Sequence, residues 1–383
     1  MILIKNGYIK PITGPDLENG CILIDDQGKI AAIGNEISVS EDTTVIDAKG
    51  RLVTPGLIDA HCHIGLHNSA VGWEGAGYNE NSDPITPQMR AIDSIYPQDE
   101  AFEDAIRHGV TSACTSPGSA NVVGGTFVAI KLTGNCVDKM VIKNPMAMKC
   151  AFGENPKRVY GKSGKAPISR MATASLLREL LFKTKRYMED KESDKKPGFD
   201  MKLEAMIPIL KKEIPLKAHA HRADDIMTAI RIAKEFDILL TLDHCTDGAV
   251  IAREVAESGY PAIVGPSFGH KTKVELANKS FETVAALHKA GVPVSITTDA
   301  PVTPLHRLPL CAGLAASEGL PMEAAWKAIT INPATLAGIS DRIGSLEIGK
   351  DADIVIWTAD PLTTIGAISH TTIVNGEIVW ETK

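Results

Sequence analysis

The segment VTPGLIDAHCHIG occupies residues 53–65 and joins a strand-like apolar run to two closely spaced histidines. Side chains alternate between the two faces of a β-strand, so we expect His61 and His63 to share one face and Cys62 to lie on the other. Asp59 has the same parity as the histidines but lies one pleat deeper, which predicts a supporting hydrogen-bond acceptor. The segment therefore predicts a strand that presents two imidazoles at one place, as a pair of metal ligands requires.

The chain on either side of this segment has two different rhythms. Near both ends, CILIDDQGKIAAIG predicts one β-hairpin and TTIVNGEIVW predicts another around its Asn-Gly turn. In between, short β-branched runs alternate with helical patterns such as DDIMTAIRIAKEFD and ETVAALHKAG. We therefore predict the α/β class, with a TIM (β/α)8 barrel of parallel strands over residues 55–344 and a small β-sandwich domain formed from residues 1–54 and 345–383. A doubly wound sheet is the alternative, but no GxGxxG follows a strand and opens a helix.

The composition of the chain narrows the classes of function. Apolar residues make up 44% of the 383 residues, and the formal net charge of −7 comes without the basic stripe that nucleic-acid binders carry. No apolar run approaches the length of about 20 residues that a membrane-spanning helix needs, and MILIKNGYIK lacks a cleavable signal pattern. Seven cysteines without a CxxC favour a reducing compartment. These features predict a cytoplasmic protein that binds neither nucleic acid nor membrane.

Further histidines and one aspartate stand on predicted barrel strands or at their C-terminal ends, which build the active site in a barrel. Neutral imidazoles and a carboxylate suit a divalent metal, and a catalytic site keeps one position open for water. The two histidines of LKAHAHRADD share one strand face, as those of the first strand do. The group consists of His61, His63, His219, His221, His244 and Asp299. Its pattern predicts a catalytic metal centre.

These motifs carry a family resemblance. VTPGLIDAHCHIG, the histidines of two later strands, and the terminal stretches GSLEIGKDADIVIW and TTIVNGEIVW resemble the amidohydrolase superfamily of metal-dependent hydrolases over nearly the whole chain. The imidazolonepropionase-like branch is the most similar. The resemblance implies that the metal ligands include His61, His63, His219, His244 and Asp299. It also implies catalytic roles for Asp299, as the proton shuttle, and for His244, beside the substrate carbonyl.

Two ligand positions stay open. Relatives with the form His-Ala-x-Gly keep the first histidine, which favours His219 as the ligand and leaves His221 to contact substrate. On the fourth strand, the resemblance offers Lys149 as a carboxylated lysine or Glu154 as a bridging carboxylate, and the site holds a single metal if neither binds. Positions five apart on a regular strand face opposite ways, so both can face the lumen only if Gly153 breaks the strand.

Loops that follow the strands supply further candidates. We expect substrate contacts from His270 and His306, and from Arg222, whose guanidinium suits a carboxylate. The long polar segment 65–89 is a candidate lid. The glycine-rich stretch SPGSANVVGGTFVAIK, residues 116–131, predicts a flexible loop over the barrel mouth.

The resemblance implies a metal-dependent amidohydrolase that cleaves a C–N bond in an amide, a cyclic amide or a peptide-like compound. One or two divalent ions, zinc first, would supply a metal-activated hydroxide, and Asp299 would shuttle the proton. One alternative is a metal-dependent deaminase of a heterocyclic ring, although HAHRADD lacks the glutamate expected near the fifth-strand histidine. A non-catalytic barrel relative is another. The expected partner is a small-molecule amide, and assembly into a homo-oligomer stays open, although barrels with such sandwiches commonly assemble.

Overall fold

The computed structural model describes residues 1–69 and 71–382. The strands are β1 (Ile2–Ile9), β2 (Leu17–Ile24), β3 (Ile30–Gly34), β4 (Thr44–Asp47), β5 (Leu52–Pro55), β6 (Leu57–Cys62), β7 (Val110–Thr115), β8 (Val123–Lys131), β9 (Val141–Ala151), β10 (Leu216–Ala220), β11 (Leu240–His244), β12 (Ala262–Val264), β13 (Val294–Ile296), β14 (Ile354–Trp357), β15 (Ser369–Val374) and β16 (Glu377–Glu381). The α-helices are α1 (Glu100–Arg107), α2 (Val137–Met140), α3 (Glu154–Gly161), α4 (Arg170–Glu192), α5 (Met201–Leu210), α6 (Ala223–Phe236), α7 (Ala252–Ser258), α8 (Glu282–Lys289), α9 (Leu308–Ser317), α10 (Met322–Ala328) and α11 (Ile331–Ala337). Short 3-10 helices occupy Ala91–Ser94, Thr246–Ala249, Val274–Leu276 and Leu305–Arg307.

The strands β6 to β13 form one sheet in which each strand is hydrogen-bonded to its neighbours in the sequence. Its two outer strands approach each other, since His63 N donates to Ala300 O at 2.8 Å. Asp59 joins the same seam, because its Oδ2 accepts from Thr298 N at 2.8 Å while its Oδ1 accepts from His61 N at 3.0 Å. The sheet is therefore a nearly closed, TIM-like barrel of the predicted α/β class, and Asp59 is the supporting acceptor that we expected.

The barrel departs from the predicted all-parallel arrangement at β8. Residues 123–131, which we expected to belong to a flexible loop, form a buried strand that pairs antiparallel with both β7 and β9. Only residues 116–122 connect β7 with β8. A parallel crossover needs a dozen residues or more, so the strand has to return antiparallel. The loop prediction was wrong because the strand-forming run TFVAI follows two glycines that we interpreted as loop residues.

The two ends of the chain combine in a second sheet, of order β16-β15-β14-β5-β1-β2-β3, with β4 paired to β1. The amino- and carboxy-terminal parts meet where β5 and β14 run antiparallel, with Ile354 opposite Pro55. The strands share an apolar cluster of their own that includes Ile4 and Ile22. This contact is edge to edge within one sheet, so the predicted two-layer sandwich is not confirmed. The division of the chain into separate domains stays a prediction.

Several local predictions are confirmed. β2 and β3 form one antiparallel hairpin, and β15 and β16 form the other. In the second hairpin Asn375 and Gly376 have φ values of 50° and 78°, the left-handed conformations that an Asn-Gly turn accommodates. The segments predicted as amphipathic helices are α6 and α8. No helix among residues 1–69 and 71–382 is both long enough and apolar enough to cross a bilayer.

Candidate metal centre

The histidine pair of the first barrel strand faces the barrel lumen, as strand parity predicts. His61 is fully buried, and its Nδ1 lies within hydrogen-bond distance of the Asp243 carboxylate. His63 Nδ1 donates to the carbonyl oxygen of Ser116 at 2.7 Å. Cys62 is buried in the apolar core between strands and helices, where burial raises the pKa of its thiol well above the usual range. The two imidazoles therefore belong to the site, and the intervening thiol does not.

Three further histidines converge on the same place from β10 and β11. The ring centroids of His219 and His244 are 4.4 Å apart, and those of His219 and His221 are 4.6 Å apart. His244 Nδ1 donates to the carbonyl oxygen of Gly265 at 2.7 Å, and His219 Nδ1 lies 2.9 Å from the hydroxyl oxygen of Ser119. Burial lowers the pKa of His219 and of His221 well below the ordinary value, so their imidazoles are neutral at pH 7.

The hydrogen bonds of the imidazoles decide which ring nitrogens face the centre. A neutral imidazole that donates from Nδ1 to a carbonyl or carboxylate oxygen keeps its lone pair on Nε2. This holds for His61 and His244, whose pKa values are lowered chiefly by burial, and the Nδ1 of His63 is engaged in the same way. Asp299 Oδ1 lies 3.5 Å from His61 Nε2 and 3.3 Å from His63 Nε2 without forming a hydrogen bond to either.

Two of these converging atoms lack any protein partner. Within the described part of the chain, His244 Nε2 and Asp299 Oδ1 are buried and make no hydrogen bond. Both residues also have the left-handed backbone conformation, with φ values of 74° and 52°, which is costly outside glycine and concentrates at functional sites. Ligand atoms of His61, His244 and Asp299 all lie within 4.8 Å of one another. Such a set of buried acceptors fits a divalent cation.

Lys149 lies at the centre of this cluster. It is fully buried on β9, and its Nζ is 3.0 Å from His61 Nε2. Burial lowers the pKa of Lys149 to about 8, so a substantial fraction of the amine is neutral near physiological pH. The structure therefore brings the lysine of the fourth barrel strand to the predicted ligands.

Glu154 is not brought to the histidine cluster. It is the first residue of α3, where its Oε1 accepts from Glu275 N at 3.0 Å and its own N donates to Glu275 Oε2 at 2.8 Å. β9 ends at Ala151, and Gly153, with φ 81°, directly precedes α3, where the chain turns Glu154 toward Glu275 and not into the lumen. Its carboxylate is thus occupied as a backbone acceptor, and the predicted role as a bridging ligand finds no support.

A buried charge network, which we did not predict, supports the first histidine. Besides the imidazole of His61, the Asp243 carboxylate receives Lys217 Nζ at 3.1 Å. Lys217 is itself nearly fully buried beneath the ring of Phe127. Burial acts to raise the pKa of Asp243, but the charges of Lys217 and His61 outweigh it and lower the pKa. Asp243 directly precedes His244 in the sequence, and an aspartate next to a predicted ligand was the signal that could have revealed this network.

The centre opens into a cavity of about 490 Å³ at the C-terminal end of the barrel strands. His63, His219, His221 and Asp299 are exposed to it from the metal centre. Tyr78, from the predicted lid segment, also lines the cavity and stacks on His63 with ring centroids 5.1 Å apart. The geometry thus gives a small molecule direct access to the converging acceptors.

The residues predicted to bind substrate are distributed differently. His221 and His270 line the main cavity. Arg222 does not line it, because its guanidinium pairs with Asp224 at 3.0 Å on the outside of the barrel. His306 lies in a second, smaller cavity of about 240 Å³ and packs against His108, with ring centroids 4.7 Å apart. Two of the four predicted residues therefore face the main cavity.

Comparison with known proteins gives consistent matches. The model of the amidohydrolase family matches residues 52–379. The chain is 29% identical to the amidohydrolase tasK of Hapsidospora irregularis over 94% of its own length, and it spans 41% of that longer relative. It is 25% identical to the imidazolonepropionase of Geobacillus sp. (strain WCH70), over 89% of this chain and 84% of the relative.

Among solved structures, an amidohydrolase from Thermotoga maritima MSB8 is similar along its whole length. It is 40% identical to this chain, covers 100% of both chains and superimposes with a TM-score of 0.96.

Proposed function

Because this chain belongs to the amidohydrolase family, we propose that it is a metal-dependent hydrolase that cleaves a C–N bond of an amide, a cyclic amide or a peptide-like substrate. One observation carries the proposal: Asp299 Oδ1 and His244 Nε2 are buried, make no hydrogen bond in the described part of the chain and lie close enough together for their lone pairs to repel each other. A cation is the group that relieves this repulsion, and the cavity leads substrate to it.

The residues present divide into two adjoining ligand sets. His61, His63 and Asp299 would hold one divalent ion, and His219 with His244 would hold a second, with Lys149 between them. We propose zinc, since neutral imidazoles and carboxylates suit it. When bound, such an ion polarises a carbonyl group and lowers the pKa of water.

Lys149 becomes a metal ligand by a covalent change, in which its amine is converted to a carbamate. An ammonium group amid metal ligands would repel a cation, whereas the carbamate formed with carbon dioxide carries a negative charge. The neutral Nζ attacks the carbon of CO2, a new N–C bond forms, and one proton leaves to solvent. Full burial lowers the pKa of Lys149 to about 8. This favours the step, because part of the amine is then in the neutral form that reacts.

Two side chains of the cavity act on the substrate. Asp299 accepts the proton of the attacking water and returns it to the leaving nitrogen, for which its place at the edge of the cavity suits it. His221, whose Nδ1 is held 2.7 Å from the Thr246 hydroxyl oxygen, lines the cavity and would orient the substrate. His244, whose free nitrogen is buried, serves as a ligand in this proposal.

The test combines metal analysis with a substrate panel. We expect the purified chain to retain close to two zinc ions, to lose activity on chelation and to regain it with zinc. The panel contains acyl amino acids, dipeptides, cyclic amides, esters and phosphoesters. Hydrolysis of at least one C–N substrate supports the proposal, and a fully loaded protein that hydrolyses nothing in the panel contradicts it.

Replacement of Lys149 tests the carbamate separately. We expect Lys149→Ala to retain less metal and to lose activity by about 100-fold or more, with partial recovery in propionate, which supplies a free carboxylate. Lys143→Ala is the matched control, since Lys143 lies on the same strand but contacts Ala337 O away from the centre. Equal metal content in both variants would rule out the bridging role.

Deamination of a heterocyclic ring is the second candidate. The glutamate that such a reaction needs comes from Glu275, whose Oε1 lies 3.9 Å from His221 Nε2. However, its carboxylate already accepts from Glu154 N and pairs with Lys273 at 3.4 Å. Ammonia release from adenine, guanine or cytosine compounds would distinguish this reaction from amide hydrolysis.

A further inference from the structure

The outer wall of the main cavity is positively charged. Arg158, Lys273 and Lys279 line it, and Asp299 of the metal centre is the one carboxylate among the cavity-lining residues of the described chain. This contrasts with the chain as a whole, whose formal net charge is −7. A local excess of cations in an otherwise acidic protein concentrates anionic ligands at the mouth of the site.

Two of these cations make no ion pair with a carboxylate in the described part of the chain. Lys279 donates to the carbonyl oxygens of Phe268 at 2.5 Å and His270 at 3.2 Å, which hold the ammonium group in place without neutralising it. Burial lowers its pKa, as expected for a cation that lacks a counter-charge. Arg158 presents an exposed guanidinium from the last turn of α3. Both charges are therefore free to meet a ligand.

The third cation is coupled to the metal centre through one side chain. Lys273 Nζ donates to Asn155 Oδ1 at 2.7 Å, and Asn155 Nδ2 lies 3.4 Å from His219 Nε2. The ammonium of Lys273 is thus one amide group away from a proposed metal ligand. Glu275 lies 3.4 Å from the same ammonium, but it is fully buried beneath the wall and leaves the cavity face of Lys273 exposed.

We propose that the substrate carries a carboxylate at a short distance from the scissile amide, and that Arg158 and Lys273 bind this carboxylate. Such compounds include N-acyl amino acids and dipeptides. The cavity of about 490 Å³ has the size of a small-ligand site, and a planar guanidinium and an ammonium that line the same cavity provide charge-assisted donors to a carboxylate. This inference rests on the proposed hydrolase function and replaces Arg222, which faces outward, as the anion-binding residue.

The first test compares matched substrates. A set of N-acetyl amino acids and dipeptides is assayed beside the corresponding C-terminal amides with the zinc-loaded enzyme. For the preferred pair we expect kcat/KM to be at least about tenfold higher for the free acid, the value of one hydrogen bond to a charged group. Equal or faster turnover of the neutral amides would overturn the inference while leaving the hydrolase proposal intact.

The second test removes the cations one at a time. Arg158→Gln and Lys273→Gln should raise KM for the acid by about tenfold, which is more than either change raises KM for the neutral amide. Lys157→Gln is the matched control, because Lys157 neighbours Arg158 on α3 but does not line the cavity. A loss of the same size in the control, or for both substrates, would contradict specific recognition. Since Arg158 is exposed and makes no ion pair with residues 1–69 or 71–382, its variant is expected to fold even if the loop of Lys273 is disturbed.

A binding measurement keeps the inference testable if no substrate in the panel is hydrolysed. Succinate and the neutral butane-1,4-diol are titrated calorimetrically into the full chain and its variants. We expect succinate alone to bind, with a Kd about tenfold higher in Arg158→Gln and unchanged in Lys157→Gln. Absence of succinate binding, or equal affinity in both variants, would overturn the anion site. Succinate binding with an inactive metal-loaded enzyme would instead count against the hydrolase proposal.

Discussion

At the scale of single residues, the centre depends on how each imidazole is held. Asp243 is the most connected of these supports, because it binds His61 Nδ1 on one side and Lys217 Nζ on the other. All three side chains are buried, so each charge relies on its partners for the solvation that water no longer provides. Outer partners of this kind fix the tautomer of a ligand and tune the affinity for metal.

We therefore expect Asp243→Asn to weaken both the fold and the metal centre. The change leaves the Lys217 ammonium buried without its counter-charge, which costs about 3–5 kcal/mol, and it should lower zinc affinity by about 10- to 100-fold. Urea unfolding and competition with a zinc chelator measure the two effects. The control is Asp224→Asn, which weakens the solvent-accessible pairs of Asp224 with Arg222 and Arg170 and should cost less than about 1 kcal/mol. Unchanged zinc affinity in Asp243→Asn would show that Asp243 does not position His61.

The same residues show where reasoning from strand parity succeeds and where it stops. Parity placed His61 and His63 together in the lumen, and the structure agrees although β6 pairs irregularly with β7 and ends at Cys62. It could not place both Asp243 and His244 there, since neighbouring strand residues face opposite ways. The structure brings both in because His244 has a φ of 74°, which turns the chain at the end of β11. A single backbone dihedral of this kind leaves no periodic trace in the sequence.

At the scale of elements, β8 is the feature that the sequence pattern concealed. Its glycines looked like loop residues, yet Gly125 occupies a position that no side chain fits. A Cβ at Gly125 would lie 2.4 Å from the carbonyl oxygen of Met89, and its φ is 122°. This close approach places β8 against Met89, the last residue of the candidate lid. The same segment, residues 65–89, carries Tyr78 to the cavity.

We expect Gly125→Ala to destabilise the protein by about 3 kcal/mol or more, since it combines a clash with main chain and a disfavoured φ. Gly124→Ala is the matched control, because its Cβ would meet nothing closer than 3.4 Å and its φ is not in the left-handed range. That variant should lose less than about 1 kcal/mol. Denaturant unfolding of both variants gives the comparison, and equal losses would mean that the contact with Met89 does not restrain β8.

The helices α6 and α8 were easier to predict from the sequence than the barrel strand β8. α6 and α8 are amphipathic, and the spacing of their apolar residues follows the period of a helix closely enough to be recognised in the sequence. The union of both chain ends was also anticipated, but its form was not. Whether β5 and β14 pair by their edges or stack by their faces depends on backbone hydrogen bonds, which the alternation of side chains does not encode.

At the scale of the whole molecule, the barrel and the terminal sheet are joined by a buried ionic cluster. Lys131, the last residue of β8, pairs with Asp353 and lies 3.2 Å from Asp351, both just before β14. Asp351 is also paired with Lys29 and, at 2.8 Å, with Arg342. Burial acts to raise the pKa of Asp351, but the neighbouring cations, Lys131 first, lower it. Lys131 of the barrel is thus paired with carboxylates that directly precede β14 of the terminal sheet.

This arrangement predicts an unequal response to the loss of two lysines in one cluster. Lys131 and Asp353 have side chains that are each only 4% exposed. Lys131→Met leaves the buried Asp353 carboxylate without its cation and should lower the free energy of unfolding by about 3–5 kcal/mol. Lys29→Met removes a lysine that is 38% exposed and leaves Asp351 paired with Arg342, so we expect a loss below about 1 kcal/mol. Urea unfolding, followed by tryptophan fluorescence and circular dichroism together, measures both. Equal losses would show that the buried Lys131 pair contributes no more to stability than the exposed Lys29 pair. Separate transitions for the two probes in Lys131→Met would show that Lys131 couples the unfolding of the barrel to that of the terminal sheet.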